Sequence, residues 1–248
     1  MSQSKFPHLS KAPIKEALID IRVRTGQDIV VESLRVENAY IRDNYPHVKD
    51  HRMGMLGLQL TEEIQTISAA QPKTTGFIFT SGDGRQIAQF RTDGFIFNRL
   101  RPYERWESMR DEARRLWDIY LETASPDKVV RVAIRYINIL ELPLPVRDLS
   151  RYLTSPPAPP EGVPHSLLSF LNRLVIHDES TSAKAILTQA LEASDKDIAP
   201  VVLDIDAFHE GAFDPQGDEI WTSFECLHDL KNELFFKSIT DATVELCQ

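Results

Sequence analysis

The chain has 248 residues, of which 42% are hydrophobic and 26% charged, and its formal net charge at pH 7 is −9. A chain of this length buries a core without needing a disulfide or a metal. The acidic balance argues against broad coating of nucleic acid, which requires clustered Lys and Arg, and the sequence contains no run of 18 apolar residues that would predict a membrane span.

The two cysteines and the first residues favour a cytoplasmic location. Cys226 and Cys247 show no metal-ligand spacing, and two such thiols fit a reducing compartment. Residues 1–9 carry no apolar stretch of the kind found in signal peptides. We therefore predict a cytoplasmic protein.

In the first half of the chain, the pattern predicts strands and two helices. Alternating apolar residues predict a strand over Glu16–Arg24, and a helical face predicts a helix over residues 30–45. Met53–Thr61 is a further strand candidate. Gly76–Leu100 predicts three strands joined by the turns Ser81–Gly84 and Asp93–Gly94. Pro102 opens a long helix with an aromatic stripe.

The second half repeats this order of elements. A buried strand begins at Lys128, and a short helix follows at Arg147–Leu153. The three strand candidates that come next are Leu167–Ile176, Ala183–Leu191 and Val201–Phe208, the first of which fits a helical period equally well. Glu219–Ile239 predicts the closing helix.

The matching order of elements in the two halves predicts an α+β fold. In this fold one unit of strand, helix, three strands and long helix is duplicated. The units would span residues 10–126 and 127–248, each with an antiparallel sheet packed against its long helix, and the two would join into one compact unit. The Pro-rich stretch over residues 155–164 predicts an exposed, extended loop.

Charged residues at alternate positions of three predicted strands form the candidate ligand site. Guanidinium groups bind carboxylate or phosphate with two hydrogen bonds, which makes arginines on a sheet face an anion site. The residues are Arg22, Arg131 and Arg135, with Asp20, Asp204 and Asp206 to orient them. Two alternatives stay open, namely that Arg–Asp pairs tie the sheets together or that the face is simply solvated.

A second cluster has metal-ligand chemistry. Asp204, Asp206 and His209 could bind a divalent cation if other residues, such as those at 177–179, supplied the missing ligands. No nucleophile motif and no glycine-rich phosphate loop occurs in the sequence. The sequence thus predicts no catalytic residue and no cofactor, and leaves metal binding open.

Two motifs carry a resemblance to a known group of proteins. Residues 11–17, Lys-Ala-Pro-Ile-Lys-Glu-Ala, lead into the first strand, and Arg135–Asn138 reads Arg-Tyr-Ile-Asn. With Leu227–His228 and Phe235–Thr240, in that order over nearly the whole chain, they resemble a sporadically distributed prokaryotic family of uncharacterised proteins. The resemblance implies a bacterial or archaeal cytoplasmic protein, and its patchy distribution suggests a link to mobile elements, phage defence or a toxin–antitoxin-like pair. It implies no catalytic residue.

The leading functional hypothesis is a non-enzymatic binding protein. Its partner would be another protein or an anionic small molecule, with nucleic acid and membrane disfavoured and a homodimer left open. The alternative is a metal-dependent hydrolase or nuclease-like enzyme that uses Asp204, Asp206 and His209.

Overall fold

A computed structural model describes residues 6–7, 9–53, 56–61, 64–69, 71–144, 146, 148–160, 162, 167–191 and 198–248, of which residues 56–61 and 64–69 are described by their backbone. The strands are β1 (Ile14–Arg24), β2 (His47–Met53), β3 (Leu56–Thr61), β4 (Ile64–Ala69), β5 (Lys73–Thr80), β6 (Gln86–Arg91), β7 (Gly94–Leu100), β8 (Lys128–Pro143), β9 (Phe170–Asp178), β10 (Ala183–Leu191) and β11 (Ile198–Phe213). The helices are α1 (Ala39–Asn44), α2 (Trp106–Ala124), α3 (Glu219–Ser238) and α4 (Asp241–Leu246), with 3₁₀ turns at Val31–Leu34 and Leu149–Arg151.

Nine of the strands form one antiparallel sheet in the order β2-β5-β6-β7-β1-β8-β11-β10-β9, and β3 pairs with β4 in a separate two-stranded sheet. The centre of the large sheet is the β1–β8 pair, in which Ile19 lies opposite Ile134 and Asp20 opposite Ala133. Strand β7 flanks β1 and strand β11 flanks β8. The sheet is therefore continuous from residues 47–53 at one edge to residues 170–178 at the other.

The prediction of a duplicated fold, with an antiparallel sheet in each half packed against a long helix, is wrong. Strands make up 43% of the structure and helices 27%, and α2 and α3 have only 19 and 20 residues. The chain builds one nine-stranded sheet because β1 and β8 hydrogen-bond directly to each other. Unpaired strand edges leave backbone donors and acceptors without partners, so two edges of matching apolar pattern pair.

Most of the individual elements are confirmed. Strand β1, the strands of residues 76–100, strand β8, strand β10 and helix α3 fall where the patterns place them. Strand β11 is confirmed and longer than predicted, and residues 170–178 form a strand rather than a helix.

Three predictions of local structure need correction. Residues 30–45 form a 3₁₀ turn and the six-residue α1 instead of one helix. Over residues 53–61, strand β2 ends at Met53 and strand β3 begins at Leu56. Near residues 147–153 a 3₁₀ turn replaces the predicted helix. In the first case Asn38 begins α1 as its N-cap, because its side chain accepts a hydrogen bond from the Tyr40 N–H.

The core lies between the sheet and the two main helices. Successive side chains of a strand point to opposite faces, and one face of the sheet packs against α2 and α3. The sheet contributes residues such as Ile19, Ile134 and Ile205 to the core, and the helices contribute Trp117 and Phe224. All of these are nearly or fully buried. Among the described helices, none is both long and apolar enough to cross a membrane. The opposite face of the sheet carries the charged side chains.

The Pro-rich stretch is described over residues 155–160, where it lies outside helices and strands and is exposed or half-buried. The boundary between residues 126 and 127 falls between α2 and β8, and the division there into two units stays a prediction.

Candidate functional site

The predicted charged residues lie together on the sheet face opposite the helices. Arg131 bridges two strands, because its Nη1 lies 3.3 Å from Asp20 Oδ2 on β1 and its Nη2 lies 3.2 Å from both carboxylate oxygens of Asp206 on β11. The guanidinium of Arg131 also lies 4.5 Å from the centre of the Phe208 ring. Arg135 pairs with Asp204 through Nε and Nη2, at 2.9 and 2.5 Å.

These charged side chains form a row across the sheet, and the row continues onto β6 and the turn before β7. Arg22 Nε lies 2.9 Å from Asp20 Oδ1, and Arg22 Nη1 lies 2.6 Å from Asp93 Oδ2. Arg91, a buried residue, donates two hydrogen bonds to Asp93, at 2.9 and 2.7 Å. Arg91 and Asp93 therefore belong to the row, although the sequence reasoning did not include them in the site.

Burial raises the pKa of two carboxyl groups of the row, those of Asp20 and Asp206. Loss of water contact raises the pKa of Asp20, and the nearby guanidinium groups of Arg22 and Arg131 oppose that rise. Burial also raises the pKa of Asp206, again against the pull of Arg131. Burial and the arginines therefore act in opposite directions on the pKa of both carboxyl groups, and burial has the larger effect.

This geometry bears on the anion-site hypothesis. The structure brings Arg22, Arg131 and Arg135 onto one face, as the hypothesis requires, and each already has a carboxylate partner at hydrogen-bonding distance. An incoming anion would have to displace an internal carboxylate. The arrangement is what the ion-pair alternative predicts, and anion binding by these arginines stays a prediction.

The candidate metal ligands are separated by the sheet. Asp204 and Asp206 lie on the charged face, whereas His209 lies on the helix face, with Nδ1 2.5 Å from Ser223 Oγ of α3 and Nε2 3.1 Å from the carbonyl oxygen of Thr181. Odd and even positions of a strand point to opposite sides, so His209 cannot join the two aspartates at one ion. Within the described part of the chain, no group of three His, Cys, Asp or Glu side chains has a metal-binding arrangement.

A cavity of about 810 Å³ lies at one end of the sheet, beneath α3. Its walls come from residues 6–7 and 9–14, from the β7–α2 connection at 101–107, from the end of β8 at 138–142, from α3, and from residues 243, 246 and 247. Ligand cavities typically measure roughly 300–1,000 Å³. The cavity is therefore large enough for a small organic molecule.

Lys231 of α3 is the buried charged side chain of this cavity. Among the charged residues that line it, Lys231 is 6% exposed, whereas the lysine, arginine and glutamate side chains at the rim are exposed. Its Nζ lies 3.7 Å from the centre of the Tyr136 ring and 2.7 Å from Asn232 Oδ1. No acidic side chain of the described residues forms an ion pair with it, and burial alone lowers its pKa to about 7.

The groups around Lys231 are aromatic or uncharged. His228, one turn earlier on α3, stacks on Trp106 with ring centres 4.6 Å apart, and burial lowers its pKa to about 3. The hydroxyl groups of Tyr103 and Tyr136 lie 2.9 Å apart, and burial raises the pKa of both. The charged groups nearest this set are Arg110 and Glu225, which pair with each other at 2.7 Å, and Glu107.

The sequence reasoning missed Lys231, although the sequence contains a signal for it. Ile220, Phe224, Leu227 and Phe235 mark the buried stripe of α3, and position 231 lies on that stripe, three to four residues from its neighbours. A lysine on an apolar helix face is unusual, because lysine is almost never fully buried without a partner. A charged residue among these buried positions, which also include Ser223 and Ser238, was the available clue.

Two comparisons with known proteins return no match, since no family model matches the chain and no curated protein sequence matches it. The resemblance carried by residues 11–17 and 135–138 therefore stays a hypothesis. The function of the chain has to be argued from the geometry of the sheet face and the cavity.

Proposed function

We propose that this protein is a non-enzymatic binding protein for a small anionic molecule, which it holds in the cavity beneath α3. The observation that carries the proposal is Lys231, an amine that is 6% exposed and has no acidic partner among the described residues. A buried ammonium without a counter-ion is costly. A bound carboxylate, phosphate or sulfonate would supply the missing charge and take a charge-assisted hydrogen bond.

The walls of the cavity suit a ligand with an apolar or aromatic body. The parallel ring pair of Trp106 and His228 lies at one side, and a second parallel pair, Phe6 and Phe236 with centres 5.0 Å apart, lies at another. The backbone of Lys11 donates to the carbonyl of Cys247 at 2.9 Å, which ties two walls together. We favour the cavity over the arginine row because the arginines already have carboxylate partners.

A matched pair of fluorescent probes tests the proposal. 8-Anilinonaphthalene-1-sulfonate and N-phenyl-1-naphthylamine share one ring system, and only the first is an anion. We expect the wild-type protein to bind the sulfonate more tightly by roughly tenfold, which corresponds to about 1.4 kcal/mol and is typical of a hydrogen bond to a charged group. Lys231→Met should abolish this preference, because it keeps the length of the side chain and removes the amine.

Lys237→Met is the matched control. Lys237 lies on the same helix, is 74% exposed and pairs with Glu233 at the surface, so this variant should keep the wild-type preference. Equal binding of the two probes to the wild type, or an unchanged preference in Lys231→Met, would rule out the proposal. Native mass spectrometry of the protein purified without added ligand would then identify any molecule that co-purifies.

A further inference from the structure

The number of acceptors around Lys231 matches an uncharged amine, while the Tyr136 ring face also attracts an ammonium group. The described residues offer its Nζ two acceptors, the Asn232 Oδ1 atom at 2.7 Å and the face of the Tyr136 ring at 3.7 Å. An ammonium group has three N–H donors, whereas a neutral amine has two and keeps a lone pair. Two acceptors therefore satisfy the neutral form completely and leave its lone pair unused.

Burial in aromatic surroundings also favours the uncharged amine. Removal from water disfavours the charged form of lysine and lowers the pKa of Lys231 to about 7, so both forms are present near neutral pH. The protonated form suits an anion, and the neutral form is a nucleophile. Desolvated lysines in apolar pockets are the residues that form Schiff bases with carbonyl compounds.

Other lysines of the described chain lack this environment. Lys184 is 45% exposed and pairs with Glu210 at 2.8 Å, and Lys237 is 74% exposed and pairs with Glu233. Water and an acidic partner therefore surround both of these amines. Lys231 combines burial, a cavity wall and the absence of an acidic partner.

We propose that Lys231 forms a Schiff base with an aldehyde or ketone that enters the cavity. The lone pair of Nζ attacks the carbonyl carbon, and the electron pair of the C=O π bond moves to oxygen. The oxygen then leaves with the two amine hydrogens as water, so that the amine and the carbonyl compound yield an imine and one water molecule. The inference rests on the proposed function, because the Schiff base would form in the same cavity.

Reductive trapping tests this inference. The protein is incubated at about pH 7 with 4-carboxybenzaldehyde, an anionic aromatic aldehyde, together with cyanoborohydride, and the product is read by intact mass and peptide mapping. We expect a first adduct on Lys231, formed at least tenfold faster than any adduct on Lys237. Adducts that spread over the exposed lysines while Lys231 stays unmodified would overturn the inference.

Two variants separate the Schiff base from anion binding. Lys231→Met should lose both the early adduct and the preference for the sulfonate probe. Lys231→Arg keeps a positive charge that cannot condense with a carbonyl, so it should retain the probe preference and lose the adduct, with thermal unfolding used to verify that it folds. If wild type shows the preference but no adduct at Lys231, the Schiff base alone fails. If it shows neither, the proposed function fails as well.

Discussion

At the scale of single residues, Lys231 is the position where an otherwise regular pattern breaks. Most buried side chains of helix α3 are apolar, two are the serines Ser223 and Ser238, and at residue 231 the helix places an amine over the Tyr136 ring. An apolar residue there would pack without any cost of burying charge. The break therefore marks the residue as a candidate for function rather than for stability.

The pH dependence of stability provides a test of the burial of Lys231. Its pKa is about 7 in the folded chain and ordinarily 10.5. Between these values the unfolded chain binds a proton that the folded chain does not, so the free energy of unfolding rises with pH. We expect the free energy of unfolding to rise by roughly 1 kcal/mol per pH unit from about pH 7 to pH 9. Below about pH 7 this group should cause no further change with pH.

Urea unfolding of wild type and Lys231→Met, compared at each pH, isolates this contribution, because the other titrating groups cancel in the difference. The difference in favour of the wild type should grow as pH rises from about 7. The Met variant should be at least as stable as the wild type at about pH 7, since it removes a buried charge. A difference that stays constant with pH would show that the amine is not buried in the folded protein.

At the scale of elements, the three central strands are joined by charge as well as by backbone hydrogen bonds. Arg131 of β8 contacts Asp20 of β1 and Asp206 of β11, and the three side chains are 23%, 18% and 25% exposed. Ion pairs buried to this degree are costly to break from one side, because the remaining charges lose their partner. We infer that Arg131 has mainly a structural role, which the sequence alone left as an alternative to ligand binding.

Arg131→Met tests this role. At about pH 7 we expect a loss of about 1–3 kcal/mol in the free energy of unfolding, because Asp20 and Asp206 stay buried and lose the guanidinium group that they share. The loss should shrink as pH falls through the raised pKa values of these two groups, because protonation removes the unpaired charges. Urea unfolding at about pH 7 and about pH 4.5 measures both effects.

The matched control is Arg42→Met. Arg42 pairs with Asp43 at 3.1 Å, but both side chains are well exposed, at 75% and 66%, and such pairs contribute roughly 0–1 kcal/mol. A cost for Arg131→Met no larger than that of the control, or one that does not change with pH, would contradict the structural role.

At the scale of the whole molecule, one sheet and one cavity unite the two halves of the chain. The β1–β8 pair runs from Ile14 opposite Asn138 to Arg24 opposite Lys128, and the cavity takes its walls from residues before 126 and after 127. Removing either half would expose a central strand edge and open the cavity. We therefore expect neither half to fold or to bind ligand alone.

Calorimetry tests this expectation. The intact chain should unfold in one transition whose van 't Hoff and calorimetric enthalpies agree, as two-state unfolding requires. A separately produced segment of residues 127–248 should show no cooperative transition, because β8 loses its partner strand β1. Two transitions in the intact chain, or a cooperative one in the segment, would show that the halves are independent domains.

The sequence predicted local elements well where a regular period runs over many residues. Strand β10 shows strict alternation of buried and half-buried residues, and helix α3 a long apolar stripe, so each pattern fits one kind of element. The prediction of one helix over residues 30–45 was wrong, because tertiary contacts determine the structure of so short a segment. The charged row was partly predictable for the same reason as β10, since Arg131 and Arg135 alternate with buried residues along β8.

By itself, then, the sequence determined most of the long strands and helices and which of their faces are apolar, because periodicity is a property of neighbours along the chain. Only the tertiary structure decided that the strands form one sheet, that Arg131 joins Asp20 to Asp206, and that Lys231 lies in a cavity with no acidic partner among the described residues. Each of these depends on which residues, distant in sequence, are brought within a few ångströms of one another. Strand pairing and helix packing set those distances, and a linear pattern of residue types does not contain them.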